Sequence, residues 1–338
     1  MEAEIAEQPA VFQRILSDAR PVIEEVAAAI RSRAPRFVVL TARGTSDHAA
    51  LYAKYLVETR LNLPAGLASP STTTLYDANP RMTDVLFIAI SQSGESPDIV
   101  RSTERARRNG AITVAITNTQ ASPLQDSAEF HLDLVAGTEL AVAATKSYAA
   151  ELLTTLLLVE NLAGRKLEEG ERLPDQAAAL VAITPDIRTV AERYRFADHL
   201  LLTSRGYNYP TALEAALKVT ETSGISAHAF SGADLLHGPM AMIGRGFPTI
   251  AIMPSGAGAE AMAPVLNGLV EKGADVLIVG DPSYATPHGT AIRLPWCPEF
   301  VSPILAIIPM QIFALIIARE RELDPDNPKG LTKVTRTV

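Results

Sequence analysis

The run Val85-Leu86-Phe87-Ile88-Ala89-Ile90-Ser91-Gln92-Ser93-Gly94-Glu95-Ser96-Pro97 passes from continuous apolar residues into hydroxyls and one glycine. Its apolar part has strand length and suits a strand buried on both faces, as in a parallel sheet. Pro97 fits the first turn of a helix, which Asp98 to Arg108 can continue. A strand thus runs through a Ser/Gly loop into a helix. Backbone N–H groups at such a start, with serine hydroxyls beside them, suit a doubly charged phosphate. The loop has no lysine and is too short for a nucleotide P-loop, so a single phosphate ester fits better than a triphosphate. By itself the loop is equally an ordinary Ser/Gly turn.

Upstream, residues 4–33 read as helical, interrupted at Pro9 and Pro21. Phe37-Val38-Val39-Leu40 reads as a strand entering Thr41-Ala42-Arg43-Gly44-Thr45-Ser46, with a helix over residues 49–59, a short strand at 65–67 and a Ser/Thr turn at 69–74. Downstream come strands at 110–117 and 130–135, the loop Gly137-Thr138-Glu139, and a long helix over 143–162. Strands alternating with helices at this spacing predict a parallel sheet with helices on both faces.

The second half repeats the first. Arg205 lies 162 positions beyond Arg43, and Met253-Pro254-Ser255-Gly256 lies the same 162 beyond Ser91-Gln92-Ser93-Gly94. The apolar strand beginning at Gly273 follows that beginning at Gly110 by 163. A nearly constant offset over three elements marks two copies of one α/β unit, joined by a charged, Pro-punctuated helical connector at 168–195. The first copy keeps the hydroxyls, so the phosphate site is placed there and the chemistry is sought in the second.

Composition narrows the class. At 338 residues and 47% apolar, the chain can bury a large core in two domains. A net charge of −8 argues against non-specific nucleic-acid binding, which needs a basic face. The single cysteine, Cys297, allows no intrachain disulfide and no cysteine metal cluster. None of the histidines (His48, His131, His199, His228, His237 and His288) forms an i, i+4 zinc pair. Residues 152–159 and 304–317 read as buried helices rather than membrane spans, the second broken by Pro309. Met1-Glu2-Ala3-Glu4 lacks a basic signal-peptide region, so the cytoplasm is expected.

The densest set of reactive groups is Glu214, Lys218 and Glu221, on a run of strong helix formers. Spacings of i, i+4 and i, i+3 put them on one face, where a solvated salt-bridged helix is the commoner meaning. Asp234-Leu235-Leu236-His237-Gly238-Pro239-Met240 adds a histidine in an irregular segment, where an imidazole can face a cavity.

Taken together, Arg43-Gly44-Thr45-Ser46, residues 91–96, Gly137-Thr138-Glu139 with Thr145-Lys146, and residues 205–239 resemble the sugar isomerase (SIS) family. The likeness is strongest to the isomerase half of the glucosamine-6-phosphate synthases. It extends to Glu4-Ile5-Ala6-Glu7-Gln8-Pro9 and to the tail at 327–335, so it spans essentially the whole chain. It implies two tandem SIS domains, each a flavodoxin-like or Rossmann-like α/β three-layer sandwich. Their bounds are set at 35–165 and 196–320, with a helical segment at 1–34, a connector at 166–195 and a tail at 321–338. By resemblance the sugar phosphate would lie on Thr45, Ser46, Ser91, Gln92, Ser93 and Ser96, with Val142 beside it. Glu221 would move the proton between C1 and C2, His237 would open and close the ring, and Lys218 would stand by the reacting oxygens. Lys333 would form a Schiff base with the ketose carbonyl. One glutamate able to reach two adjacent carbons is the base such a shuttle needs, and no metal or organic cofactor is implied.

Two departures are visible. The synthases carry an N-terminal glutaminase domain with a cysteine nucleophile, and this chain is expected to have neither. Cys297, within Pro295-Trp296-Cys297-Pro298, cannot take that role by analogy. Ser69-Pro70-Ser71 also replaces a more acidic segment at the edge of the sugar site. The expected function is an amino-sugar-phosphate deaminase/isomerase, taking glucosamine 6-phosphate to fructose 6-phosphate and ammonia, or running the reverse without glutamine. A 6-phosphofructosamine deglycase and a non-catalytic phosphosugar-binding regulator are the alternatives. The expected partner is a small-molecule sugar phosphate, with no nucleic acid or membrane, and the family implies a homodimer.

Overall fold

A computed structural model describes residues 1–286 and 289–333; His288 and the tail residues from Val334 onward lie outside the described residues. The first sheet is built from β1 (Phe37–Thr41), β2 (Ala65–Leu67), β3 (Val85–Ser91), β4 (Ile112–Thr117) and β5 (Phe130–Asp133), all parallel in the order β2-β1-β3-β4-β5. The second is built from β6 (His199–Ser204), β7 (Ser226–Ser231), β8 (Pro248–Met253), β9 (Asp275–Gly280) and β10 (Thr290–Arg293), parallel in the order β7-β6-β8-β9-β10. The two orders are the same. So is the register: Leu40 faces Ile88 in the first sheet and Leu202 faces Ile250 in the second, each partner displaced by 162. The repeat read from the sequence is therefore a repeat of backbone pairing.

The chain divides into two compact units, one around each sheet. The first sheet's unit holds residues 10–139, 146–171 and, of the described tail, Thr332 and Lys333; the second sheet's unit holds 1–9, 140–145 and 172–331. In the first, Phe87, Ala89 and Ala115 of the central strands pack against Ile99, Ala106 and Leu124. In the second, Leu201, Ala251, Met253 and Ile278 pack against Met262, Val265 and Leu269.

Each unit also owns a buried helix. Lys146–Leu162 is buried from Lys146 through Glu160, and Ser302–Glu320 from Ser302 through Ala318. The latter has the length and apolarity of a membrane span, but it is enclosed by protein and packs on the helix Tyr209–Ser223. Pro309 does not break it, contrary to the sequence reading; one continuous helix contains the proline. A proline inside a helix costs roughly 3 kcal/mol, which the apolar burial of its neighbours offsets. The N-terminal helices also differ from expectation. The chain leaves helix at Glu7, between Glu2–Ala6 and Gln8–Arg14, not at Pro9. Pro21 does not interrupt the helical run either: the π-helical turn Ile15–Ala19 leads straight into Arg20–Ser32, and the proline sits in that helix's first turn, where it is tolerated. The segment 69–74, read as a turn, forms the short helix Pro70–Thr74 for the same reason.

Candidate active site

In the first unit, β1 and β3 are adjacent, and the loops leaving their carboxyl ends flank the point where strand order reverses. Ligands of open parallel sheets bind there. Arg43 ties the two loops together, its guanidinium donating to Asp98 Oδ2 at 2.7–2.8 Å in the first turn of the helix Pro97–Arg108. Ser96 is the N-cap of that helix, with its hydroxyl left uncommitted to the cap. Gly94 takes φ +66°, and a Cβ there would lie 2.3 Å from Ser122 Oγ, so the turn demands glycine.

The hydroxyls are not equivalent. Ser91 Oγ accepts the Gly94 N–H at 3.1 Å, and Ser93 Oγ accepts the Glu95 N–H at 3.3 Å. Each oxygen is thereby oriented, and among the described residues neither hydroxyl donates its own hydrogen. Ser46 instead donates its hydrogen to the buried Glu151 Oε1 at 2.7 Å. Ser46 can offer an anion its amide at the start of the helix Thr45–Leu56, but not its hydroxyl at the same time. Beside it, burial pushes the Asp47 carboxyl up against the opposing pull of His48 and Arg43. Glu151 had no signal in the sequence, since the contact joins residues 105 positions apart.

A cavity of about 590 Å³ opens beside this loop, lined by Gln92, Asn118, Thr119, Gly137, Thr138 and Glu139. Asn118 fixes its wall, donating to Gly137 O at 2.8 Å and accepting the Ala136 N–H at 3.0 Å. Glu139 is buried and receives the Ser147 hydroxyl at 2.5 Å and the Ser147 N–H at 3.2 Å. Its Oε2 also lies 3.4 Å from Lys333 Nζ, which brings the tail lysine to the rim of this cavity. The sequence singled out Glu139 only as part of a motif, not as this lysine's counter-ion.

In the second unit, Glu214, Lys218 and Glu221 lie on the helix Tyr209–Ser223, which ends at Gly224 in the left-handed conformation. The solvated salt-bridge reading fails here. Lys218 is fully buried, with Nζ 2.5 Å from Glu221 Oε2 and 3.4 Å from Glu214 Oε1. Burial alone would push the Lys218 ammonium down, but the two carboxylates outweigh it and hold the group above the ordinary lysine value. It stays charged at neutral pH and is a proton holder rather than a nucleophile. Glu221, at 23% side-chain exposure, is the member of the set open to a ligand. His237 is exposed and sits where the helix Gly232–Leu236 ends, before Gly238 at φ +144°. Among the described residues no hydrogen bond joins its imidazole to the Lys218 set. Val142 belongs to this unit too, its N–H donating to Asp326 O at 3.1 Å. Thus the hydroxyl loop and Lys333 share one unit, and Lys218, Glu221 and His237 share the other. Among the described residues no three His, Cys, Asp or Glu side chains gather as a metal site.

The SIS domain model matches residues 33–161 and 194–285, one stretch over each sheet. The glutamine–fructose-6-phosphate aminotransferase (isomerizing) of Mycobacterium tuberculosis is 33% identical over 98% of this chain, which spans 57% of that relative's length. The counterpart from Thermococcus kodakarensis is 32% identical with the same coverage. A solved structure from Silicibacter pomeroyi DSS-3, described there as a candidate phosphosugar isomerase, is 36% identical with a TM-score of 0.86, covering 96% of this chain and 99% of that one. The C-terminal domain of glucosamine-fructose-6-phosphate aminotransferase from Francisella tularensis shares the fold at TM-score 0.85 and 24% identity, covering 96% and 97% of the two chains.

Proposed function

The chain belongs to the SIS domain family, and on that premise we propose that it is an amino-sugar-phosphate deaminase/isomerase acting on glucosamine 6-phosphate. The observation that carries the reading is the buried Lys218 ammonium set between Glu214 and Glu221. A base that moves a carbon-bound proton must be held in place and reachable, and Glu221 is both: its Oε2 lies 2.5 Å from the Lys218 ammonium while the side chain keeps 23% exposure. Glutamate of this kind suits transfer of a proton from C2 to C1 of an open-chain 2-amino aldose.

In this reading the phosphate sits on Ser91, Ser93 and Ser96 with the Thr45 and Ser46 amides, Gln92 lies alongside, and Val142 flanks the sugar. His237 carries a proton between ring oxygen and solvent as the ring opens. Glu221 then takes the C2 proton and returns it to C1, while O1 gains a proton from solvent and the C2 amine gives one up to solvent. C2 is left as an imine. The Lys333 amine displaces ammonia from that carbon, and water releases the ketose and regenerates the lysine. Glu139, 3.4 Å from Lys333 Nζ, is the group able to take up the lysine's proton before that attack.

The aminotransferase relatives are named for both glutamine and fructose 6-phosphate. In this reading the amine of the 2-amino aldose leaves as ammonia, so the chain is read as handling free ammonia. The test is ammonia release from a panel of 6-phosphorylated amino sugars and fructosamines. Release from glucosamine 6-phosphate is expected. Release of a different amine, from a 6-phosphofructosamine alone, would make the chain a deglycase. Lys333→Met should leave phosphate-ester binding intact yet abolish any adduct with fructose 6-phosphate trapped by borohydride.

A further inference from the structure

The reversal of strand order between β6 and β8 is the second sheet's counterpart of the point that carries the hydroxyl loop in the first. At the offset of 162, Gly206 stands for Gly44, Ser255 for Ser93, Gly256 for Gly94 and Gly258 for Ser96. The two places differ in what fills them. A Cβ on Gly44 would meet nothing within 4 Å. At the second place a Cβ on Gly256 would lie 2.5 Å from Glu299 Oε2, one on Gly258 2.5 Å from Glu299 Oε1, and one on Gly206 3.7 Å from Oε1. Glu299 Oε1 accepts the Gly258 N–H at 2.9 Å.

Glycines from two loops thus surround a carboxylate, whereas in the first sheet the space beside Gly44 is open and Gly94 meets the neutral hydroxyl of Ser122. The intruding residue is anchored at its own backbone. Its carbonyl accepts the Ser302 hydroxyl at 2.6 Å and the Ser302 N–H at 3.1 Å, and Asn208 Nδ2 donates to that hydroxyl at 2.7 Å. The one serine kept by the second loop is committed as well: Ser255 Oγ donates to Asp281 Oδ2 at 2.8 Å. A carboxylate, like a phosphate, presents anionic oxygens to backbone N–H groups, and such charge-assisted bonds are the strong ones.

We propose that Glu299 is a built-in anion occupying a degenerate phosphate cradle formed by Gly206, Gly256 and Gly258, so that the second sheet offers no site to a phosphate ester. The inference concerns a place apart from the proposed reaction and does not depend on it.

The test counts inorganic phosphate bound by the intact chain in equilibrium dialysis. Glu299→Ala should bind one phosphate per chain more than the wild type, and phosphate should raise its melting temperature further. Glu299→Gln, whose amide fills the same space, should gain none. Because the count is relative to the wild type, the outcome stands whether or not the Ser91 loop binds phosphate. Equal counts for a folded Glu299→Ala and the wild type would overturn the proposal, and so would a gain in Glu299→Gln. Should Glu299→Ala fail to fold in chloride buffer, phosphate at the same ionic strength must restore it; failure to do so also overturns the idea.

Discussion

Lys218 and Glu221 differ in what their loss removes. Glu221→Gln keeps shape and a hydrogen bond to Lys218 but deletes the base, so exchange of substrate protons with solvent deuterium should slow by about 10²–10⁴. The borohydride-trapped adduct at Lys333 should persist, and proton exchange at the wild-type rate would exclude Glu221 as the base. Lys218→Met acts on the fold as well. It strands Glu214 and Glu221 without their cation, and breaking a buried pair in this way costs roughly 3–5 kcal/mol, measurable in urea. The serines divide in the same manner. Ser91→Ala with Ser93→Ala removes two free hydroxyl donors to a dianion, each worth roughly 1.5–3 kcal/mol, so KM should rise by one to several orders of magnitude. Ser46→Ala should raise it far less, because that hydroxyl already serves Glu151. Equal effects from Ser46 and the Ser91–Ser93 pair would show that Ser46 turns to the ligand.

At the level of elements, the sequence was most legible where burial is uniform. The apolar runs ending at Ser91 and Thr117 have the length and evenness that suit strands covered on both faces, and β3 and β4 are buried along nearly their whole length. Legibility ended where a side chain's partner lies far along the chain. The face shared by Glu214, Lys218 and Glu221 could be read from spacing, but not that it turns inward. Nor does local sequence show that Ser302–Glu320 passes unbroken through Pro309, since the compensation comes from what surrounds it. The last turn of Lys146–Leu162 gives a further case. Glu160, buried, receives Arg60 at 2.8 and 2.9 Å and Arg165 at 3.0 and 3.3 Å. Burial pushes its carboxyl up, yet the two guanidinium groups outweigh that and hold it below the ordinary glutamate value. Its folded pKa being depressed, the stabilisation is full above the unfolded value of 4.5 and is lost as pH falls through the lower folded one. Glu160→Gln should therefore cost roughly 3 kcal/mol at neutral pH, and the gap to wild type should close in acid. A gap that stays constant down to pH 3 would mean that packing, not charge, is what the substitution removes.

Across the whole molecule the repeat was plain from three offsets, and the common register extends it to individual strand pairs. The offsets also exposed the loss of hydroxyls from the second copy; what they could not reveal is that Glu299, far from that loop in sequence, takes the room beside Gly256 and Gly258. The proposed chemistry also predicts the chain's nitrogen economy. The purified chain should release no ammonia from glutamine, while ammonium should support amination of fructose 6-phosphate; glutamine-dependent product from this chain alone would overturn that. The division of the chain between the units bears on its synthesis. Residues 10–139 and 146–171, nearly all of the first sheet's unit, leave the ribosome in one stretch and can close early. The helix Glu2–Ala6 emerges before them, but it packs on Leu173–Ala182 and Ser302–Glu320, whose last turn follows some 300 positions later. Glu4, likewise, waits for Leu140 and Ala141, whose amides its carboxylate accepts. The helix Glu2–Ala6 is thus made long before the helices that house it, and until they arrive a nascent chain carries its apolar side chains uncovered, as a client for whatever shields unfinished polypeptides.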